Sequence, residues 1–357
     1  MIVNMKKVAF FLTATCLTLA FNFAQGAAMI DELEPLSING TDQWLLYRGE
    51  EQTKPVVLFV HGGPGSPLMY FSRGFDDAFT KDFVVVHWDQ RGSGKSYDPK
   101  VPTNSYHFQQ FVDDGLAVVT HIKNKFQKKK IILVGHSWGT MLAFNMAAQY
   151  PKSFESLVSI GTVSNMGKME EFRFMKVKSA IQTSGNADAL ERLKDLGTPP
   201  YLTFDELTEF GNLLSEFVGF EGTFRLLPME KINEAVQKNK EYTEQEMTAS
   251  MEGMAVVFNS LSDFLYKYNA SKFVPEVEMP VYFVQGRHDL NTPTELARNY
   301  FDDLKADAGK TWIEFDESAH FPMYEEPNRF LQVLKSASGS KNDLSCGHPA
   351  GTHRKCR

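Results

Sequence analysis

The stretch that decides the fold is Val134-Gly135-His136-Ser137-Trp138-Gly139-Thr140. It continues a β-branched apolar run that starts at residue 131 and is typical of a buried parallel strand. Residues 140–150 that follow are rich in helix formers, and Pro151 stops them. The pattern Gly-x-Ser-x-Gly therefore stands at a strand-to-helix junction, the context that indicates a nucleophile elbow with Ser137 at its tip.

The two glycines of this motif have a steric reason. The backbone must take a strained conformation to project Ser137 Oγ over the end of a sheet. Side chains at positions 135 and 139 would then collide with the neighbouring strand and helix. The amide of Trp138 and the helix N-terminus would face an oxygen beside Ser137, so we expect Trp138 to donate to an oxyanion. The alternative is a Gly/Ser turn in an ordinary α/β protein.

Length and composition allow one large core, or a core with a smaller accessory domain. The chain has 357 residues, of which 43% are apolar. Its formal charge of −7 argues against a nucleic-acid surface and mildly against binding to anionic membranes. We therefore expect a small-molecule or short-peptide substrate and no nucleic-acid partner.

The N-terminus has the pattern of a secretory leader. Lys6 and Lys7 precede an apolar run over residues 8–21, and small residues follow at 24, 26 and 27. This arrangement predicts a signal peptide over residues 1–27, and an exported protein, periplasmic or secreted, without stable membrane insertion after cleavage. An uncleaved anchor is the alternative.

The C-terminal residues 338–357 form a polar tail that we expect to be mobile. It holds Cys346 and Cys356, which an oxidising compartment would allow to pair. His348 and His353 lie in the same tail, but the spacing matches no standard zinc pattern. We expect no metal and no cofactor.

The rest of the chain alternates strands with helices. Buried strands are predicted for the apolar runs at residues 55–60, 83–88, 131–134, 157–160, 280–285 and 311–315. Such alternation indicates a mostly parallel sheet flanked by helices, whose ligands bind beyond the carboxyl ends of the strands. We predict two core parts, 28–161 and 273–337, separated by a helical cap over 162–272, because the latter has no buried β-run.

Two glycine-rich turns follow predicted strands. Residues 61–65 hold three glycines, which would let backbone N–H groups approach a ligand, and we assign the second oxyanion donor to Gly63, with Gly62 as the alternative. His61 is expected to support this loop. Residues 89–96 match no phosphate-binding pattern, so we interpret them as a structural turn held by Asp89 and Arg91.

A catalytic triad is predicted from Ser137, Asp289 and His320. Each stands directly after a predicted strand or within a short loop of its end, and their chain order is that of α/β-hydrolases. Ser137 would attack a carbonyl, His320 would carry its proton, and Asp289 would fix the imidazole tautomer. Asp316 or Asp302 could replace Asp289 in principle. Asp289 is favoured because it ends a buried strand.

Several motifs together resemble the proline iminopeptidase branch of the α/β-hydrolases. The resemblance covers residues 40–160 and 275–335. It rests on His61-Gly62-Gly63-Pro64-Gly65, Trp88-Asp89-Gln90-Arg91-Gly92-Ser93-Gly94-Lys95-Ser96, Gly135-His136-Ser137-Trp138-Gly139, Gly286-Arg287-His288-Asp289 and the His320 loop. It implies a cofactor-free serine hydrolase that releases an N-terminal residue, typically proline, from peptides.

The resemblance also implies that cap carboxylates bind the free amino group of the substrate. The cap offers Glu170, Glu171, Glu216 and Glu221 as candidates. Two features differ from that branch: His136 stands where its members usually have Gly, and residues 160–166 are unlike theirs. A carboxylesterase or lactonase with the same triad is therefore the alternative function. A non-catalytic binding protein on a hydrolase scaffold is a remote one, because it would not need the whole triad.

Overall fold

A nine-stranded sheet forms the centre of the structure, a computed structural model that describes residues 29–339 and the backbone of Lys355–Cys356. The described strands are β1 (Ile30–Ile38), β2 (Thr41–Gly49), β3 (Val56–Val60), β4 (Val84–Trp88), β5 (Ile131–His136), β6 (Phe154–Ile160), β7 (Glu276–Val277), β8 (Val281–Gly286), β9 (Lys305–Ala306), β10 (Lys310–Phe315) and β11 (Lys355–Cys356). Their order in the sheet is β1-β2-β4-β3-β5-β6-β8-β10-β11, while β7 and β9 pair separately.

The sheet is mostly parallel, as the sequence predicts. Only β1 with β2 and β2 with β4 pair antiparallel. Along the parallel part, Val60 pairs with Gly135, His136 with Ile160, and Gly286 with Phe315. The carboxyl ends of β3, β5, β6, β8 and β10 therefore meet at one edge, where such sheets bind their ligands.

Alternate side chains of the central strands enter two different apolar layers. In β3, Val56, Leu58 and Val60 join one buried cluster, whereas Val57 and Phe59 join the other. Because side chains in a strand point to opposite faces in turn, both faces of the sheet must be covered. The continuous apolar runs in the sequence follow from this double burial.

Helices supply that cover. They are α1 (Ser72–Phe75), α2 (Phe108–Lys125), α3 (Trp138–Gln149), α4 (Met166–Ser184), α5 (Ala187–Leu196), α6 (Phe204–Phe217), α7 (Met229–Gln237), α8 (Glu244–Lys267), α9 (Ala270–Phe273), α10 (Thr294–Asp303), α11 (Pro322–Glu325) and α12 (Pro327–Ala337). None of the helices in the described part of the chain combines the length and apolarity needed to span a bilayer.

Between β6 and β7 the described chain is helical and contributes no strand to the sheet. Helices α4, α5 and α6 share a small apolar cluster of their own. The sequence break at Pro199–Pro200 falls between α5 and α6. We keep the name cap for residues 162–272.

The turn after β4 fastens the cap to the core. Asp89 accepts hydrogen bonds from the Lys95 amide (2.8 Å) and from the hydroxyl of Tyr242 in the cap (2.6 Å). Arg91 forms a buried ion pair with Asp114, at 2.8 Å. The turn is therefore structural, as expected, and Asp89 has the additional role of anchoring the cap.

Of the tail, residues 338–339 and the backbone of Lys355–Cys356 are described, and Lys355–Cys356 lies beside Trp312–Ile313 of β10. The predicted signal peptide and Cys346 lie outside the described residues.

Candidate active site

Ser137 occupies a strained turn between β5 and α3. Its φ of 53° and ψ of −123° belong to a region that residues other than glycine rarely adopt. Its amide donates to the carbonyl of Ile160 at 2.9 Å, which ties the turn to the neighbouring strand. The side chain projects into a cavity that His320 also borders.

Close packing explains the glycines around Ser137. A Cβ on Gly139 would lie 2.0 Å from the carbonyl oxygen of Val60, so any side chain there would displace β3. A Cβ on Gly135 would lie 2.6 Å from the Gly139 carbonyl oxygen. The steric argument made from the sequence holds at both positions.

His320 is hydrogen-bonded to Asp289. Its Nδ1 lies 2.8 Å from Asp289 Oδ2, and both residues are buried. A carboxylate accepts, so the proton belongs on Nδ1 and Nε2 keeps its lone pair. Gly161, with φ of 56°, makes room for the ring, since a Cβ there would lie 3.0 Å from His320 Cε1. This arrangement prepares His320 Nε2 to accept a proton.

Asp289 is held by four donors besides His320. Its Oδ1 accepts from the amides of Asn291 (2.8 Å) and Thr292 (2.9 Å). Its Oδ2 accepts from the Thr292 hydroxyl (2.5 Å) and from Gln285 Nε2 (3.3 Å). The turn after Asp289 is thus the feature that orients the carboxylate.

The two alternative acids have other partners. Asp316 forms an ion pair with Arg287, and Asp302 forms one with Arg298 at 3.2 Å. Both acids are substantially exposed, so neither is placed as Asp289 is against His320.

His136 is a neighbour of the site that the sequence analysis noted only as a departure from the iminopeptidase pattern. Its Nε2 donates to the backbone carbonyl of His320 at 2.9 Å, and its ring lies 4.6 Å from that of Phe321. Burial, together with the nearby His320, lowers the pKa of His136 well below its ordinary value. His136 is therefore a neutral donor that supports the His320 loop. The sequence signal that could have revealed this role was the position of His136 directly before Ser137.

The predicted oxyanion donors are Gly63 and Trp138. Gly63 borders the cavity, as does its alternative Gly62, and Trp138 begins α3. Trp138 Nε1 donates to Gln90 Oε1 at 2.9 Å, so its indole points away into the core.

His61 supports the glycine loop, as expected. It is fully enclosed, and its Nδ1 donates to the Gly62 carbonyl at 2.8 Å. The amide of Gln90 donates to its Nε2 at 3.2 Å. Burial lowers the pKa of His61 to about 4, so it is neutral and has no free nitrogen for chemistry.

The cavity around Ser137 measures about 390 Å³ and lies between core and cap. Its cap side is largely apolar and is formed by Val163, Met166, Met169, Arg173, Thr223, Phe224 and Met254. Its size falls at the lower end of the range for small-molecule sites. In the described residues, no group of three or more His, Cys, Asp or Glu side chains is arranged to hold a metal ion.

None of the four predicted substrate-binding acids borders this cavity. Glu171 is exposed, Glu216 pairs with Arg192, and the Glu221 side chain is 85% exposed. These three acids are exposed to solvent. Only Glu170 is buried, at 6% exposure.

Arg173, one turn after Glu170 on α4, does border the cavity. The sequence analysis did not single it out. The available signal was a charged residue inside the aromatic and methionine run of residues 172–175, where a solvated face would be more polar.

Comparisons with known proteins agree with this geometry. The family model described as alpha/beta hydrolase fold matches residues 55–327. The chain belongs to the α/β-hydrolase family. It is a hydrolase.

Relatives of this α/β-hydrolase have peptidase names. A probable aminopeptidase, YbaC, from Bacillus subtilis is 33% identical over 312 residues, which cover 85% of this chain and 94% of the relative. A proline iminopeptidase from Saccharolobus solfataricus is 27% identical, over 81% and 86% of the two chains. The crystal structure of a proline iminopeptidase from Mycobacterium smegmatis superposes with a TM-score of 0.63 at 21% identity, over 87% of this chain and all of that one. The resemblance to the iminopeptidase branch is thereby confirmed.

Proposed function

We propose that this enzyme is a serine hydrolase in which Ser137, His320 and Asp289 form the catalytic triad. The observation that carries the proposal is the 2.8 Å bond from His320 Nδ1 to Asp289, beside a cavity that both His320 and the strained Ser137 border. Nucleophile, base and orienting acid are the parts that acyl transfer requires.

The chemistry follows from these positions. Ser137 Oγ attacks the substrate carbonyl carbon while His320 Nε2 takes the hydroxyl proton. His320 then gives that proton to the leaving group as the scissile bond breaks, which leaves an acyl-enzyme. Water, deprotonated by His320, releases the acid and restores Ser137. The amides of Gly63 and Trp138 would stabilise the oxyanion in both halves of the reaction.

For the substrate, we propose short peptides from which one N-terminal residue is released. The names of the relatives support this choice. A buried substrate ammonium needs a counter-charge, since an unpaired one is costly. Glu170 is the one candidate among the four acids that is buried, and its Oε2 has no hydrogen-bond partner.

A carboxylesterase or lactonase is the second candidate function. It is favoured by the mostly apolar lining and by the lack of any Asp or Glu among the residues that border the cavity. An ester substrate would bring no ammonium and would need no such acid.

A substrate panel separates the two. We expect the enzyme to cleave proline 4-nitroanilide much faster than its N-acetylated form, and Glu170→Gln to lower kcat/KM for the free amine selectively. Glu171→Gln is the matched control, because it removes the same charge from the outer surface. Equal cleavage of both anilides, with rapid hydrolysis of short 4-nitrophenyl esters, would replace the aminopeptidase proposal by the esterase one.

We also propose that the enzyme is exported. The support is the charged, apolar and small-residue pattern of residues 1–27. The mature chain from the native host should begin between about residues 27 and 29, as read by N-terminal sequencing. An N-terminus at Met1 would contradict cleavage.

A further inference from the structure

Arg173 is the single Lys, Arg, Asp or Glu among the residues that border the Ser137 cavity. It lies on α4, on the cap side of the site, and its charge is close enough to Asp289 for the two to interact electrostatically. The charge that the cap contributes to this cavity is therefore positive.

This guanidinium differs from the others in residues 29–339. There Arg173 forms no ion pair, whereas each of the eight other arginines has a carboxylate oxygen at 3.8 Å or less. Its Nε is buried without a hydrogen-bond partner. The ring of Phe210, 5.3 Å from the guanidinium carbon, is its close neighbour instead.

Such an arrangement is costly in the free enzyme. Arg173 as a whole is half-buried, and its buried Nε–H loses hydration that only a hydrogen-bond acceptor or a paired anion can replace. Burial lowers the pKa of Arg173, and the charge of Glu170 only partly offsets this effect. Glu170 thus balances the charge from a distance without occupying the donors of Arg173.

We propose that Arg173 binds a carboxylate of the substrate. The proposal rests on the proposed hydrolase function and deepens it: the preferred substrates are short acyl compounds with a free carboxylate, foremost dipeptides, whose C-terminal carboxylate meets Arg173. A guanidinium suits this task because its fork of N–H donors matches two carboxylate oxygens. The small cavity agrees with a substrate of about two residues.

The test compares matched substrates that differ in one charge. We would measure kcat/KM for prolyl dipeptides and their C-terminal amides, and for O-acetylglycolic acid against O-acetylglycolamide, in which the carboxylate likewise belongs to the leaving group. The wild-type enzyme should prefer the charged member of a pair by about 30-fold or more, as expected for a buried charge pair. Arg173→Gln should remove that preference by slowing the charged substrates far more than the neutral ones, while Arg173→Lys should retain part of it.

Arg192→Gln is the matched control, because it removes a cap arginine that pairs on the surface with Glu209 and Glu216. The rate of fluorophosphonate labelling should be the same in all variants if the nucleophile is intact. Loss of peptide cleavage alone would contradict the peptidase proposal, and the ester pair would still test Arg173. The inference fails if wild-type enzyme shows no charge preference in either pair, or if Arg173→Gln slows charged and neutral substrates equally.

Discussion

The charged side chains of the candidate triad and those on the inner face of the cap differ in how completely they are hydrogen-bonded. Asp289 accepts from five donors, including His320, before any substrate arrives. On the cap, Glu170 and Arg173 each keep a buried polar atom without a partner. Groups that perform chemistry must be oriented in advance, whereas groups that recognise a substrate need bonding capacity left open. With the proposed function, this difference assigns catalysis to the core and substrate selection to the cap.

The largest expected effect is on catalysis by the candidate triad in the core. Asp289→Asn should lower kcat by about 10⁴-fold with little change in melting temperature, because the amide would hold the wrong tautomer of His320. Asp316→Asn is the control, since that acid pairs with Arg287 outside the site. Steady-state kinetics on both variants checks this. A crippled Asp316→Asn beside an active Asp289→Asn would show that the acid is wrongly assigned.

A smaller effect concerns Asp89, which links the core to the cap through its hydrogen bond from Tyr242. Burial raises the pKa of Asp89 from 3.8 to about 7, against hydrogen bonds from Tyr242 and Lys95 and the charges of His87 and Lys95. Between about pH 4 and 7 the folded protein then holds a proton that the unfolded chain has released, so stability falls as the pH rises through this window. We expect a loss on the order of 2 kcal/mol in the free energy of unfolding between about pH 5 and 8.

Asp89→Asn should flatten that dependence, because the amide carries no charge at either pH. Urea unfolding across the pH range measures it, with the exposed Asp98→Asn as control. Identical pH profiles for wild type and Asp89→Asn would refute the shifted ionisation.

The smallest effect tests whether His136 acts by positioning the His320 loop. His136→Phe keeps a ring against Phe321 but removes the hydrogen bond to the His320 carbonyl, and should lower kcat by about 5- to 10-fold with KM unchanged. His136→Gln, which retains a donor, should recover part of this loss. If both variants lose stability yet keep full kcat, His136 serves packing alone.

The core could be predicted from the sequence because its structure follows from short-range sequence patterns. The strand before Ser137 and the helix after it have distinct periodicities, and the glycines at 135 and 139 have one steric explanation each. Asp289 could be preferred over Asp316 because the turn that follows it supplies its donors. These features depend on neighbours in sequence, or on strand ends that a parallel sheet must bring together.

The sequence predicted that the cap is helical, but it did not predict which side chains form the inner face of the cap. Glu170 and Glu171 are adjacent, and the sequence cannot tell which of them turns inward when the helix docks. Arg173 was missed for the same reason, since its distance from Ser137 depends on how α4 packs across the strand ends. Long-range packing of helices leaves no local pattern that would have revealed this cation.

The central claim, that Ser137 is the nucleophile, is tested most directly by covalent labelling. The protein should react with a fluorophosphonate, and mass spectrometry of the labelled peptide should place the adduct on Ser137. Ser137→Ala should lose both labelling and hydrolysis while keeping its fold. Labelling that persists in Ser137→Ala, or an adduct on another residue, would contradict the account.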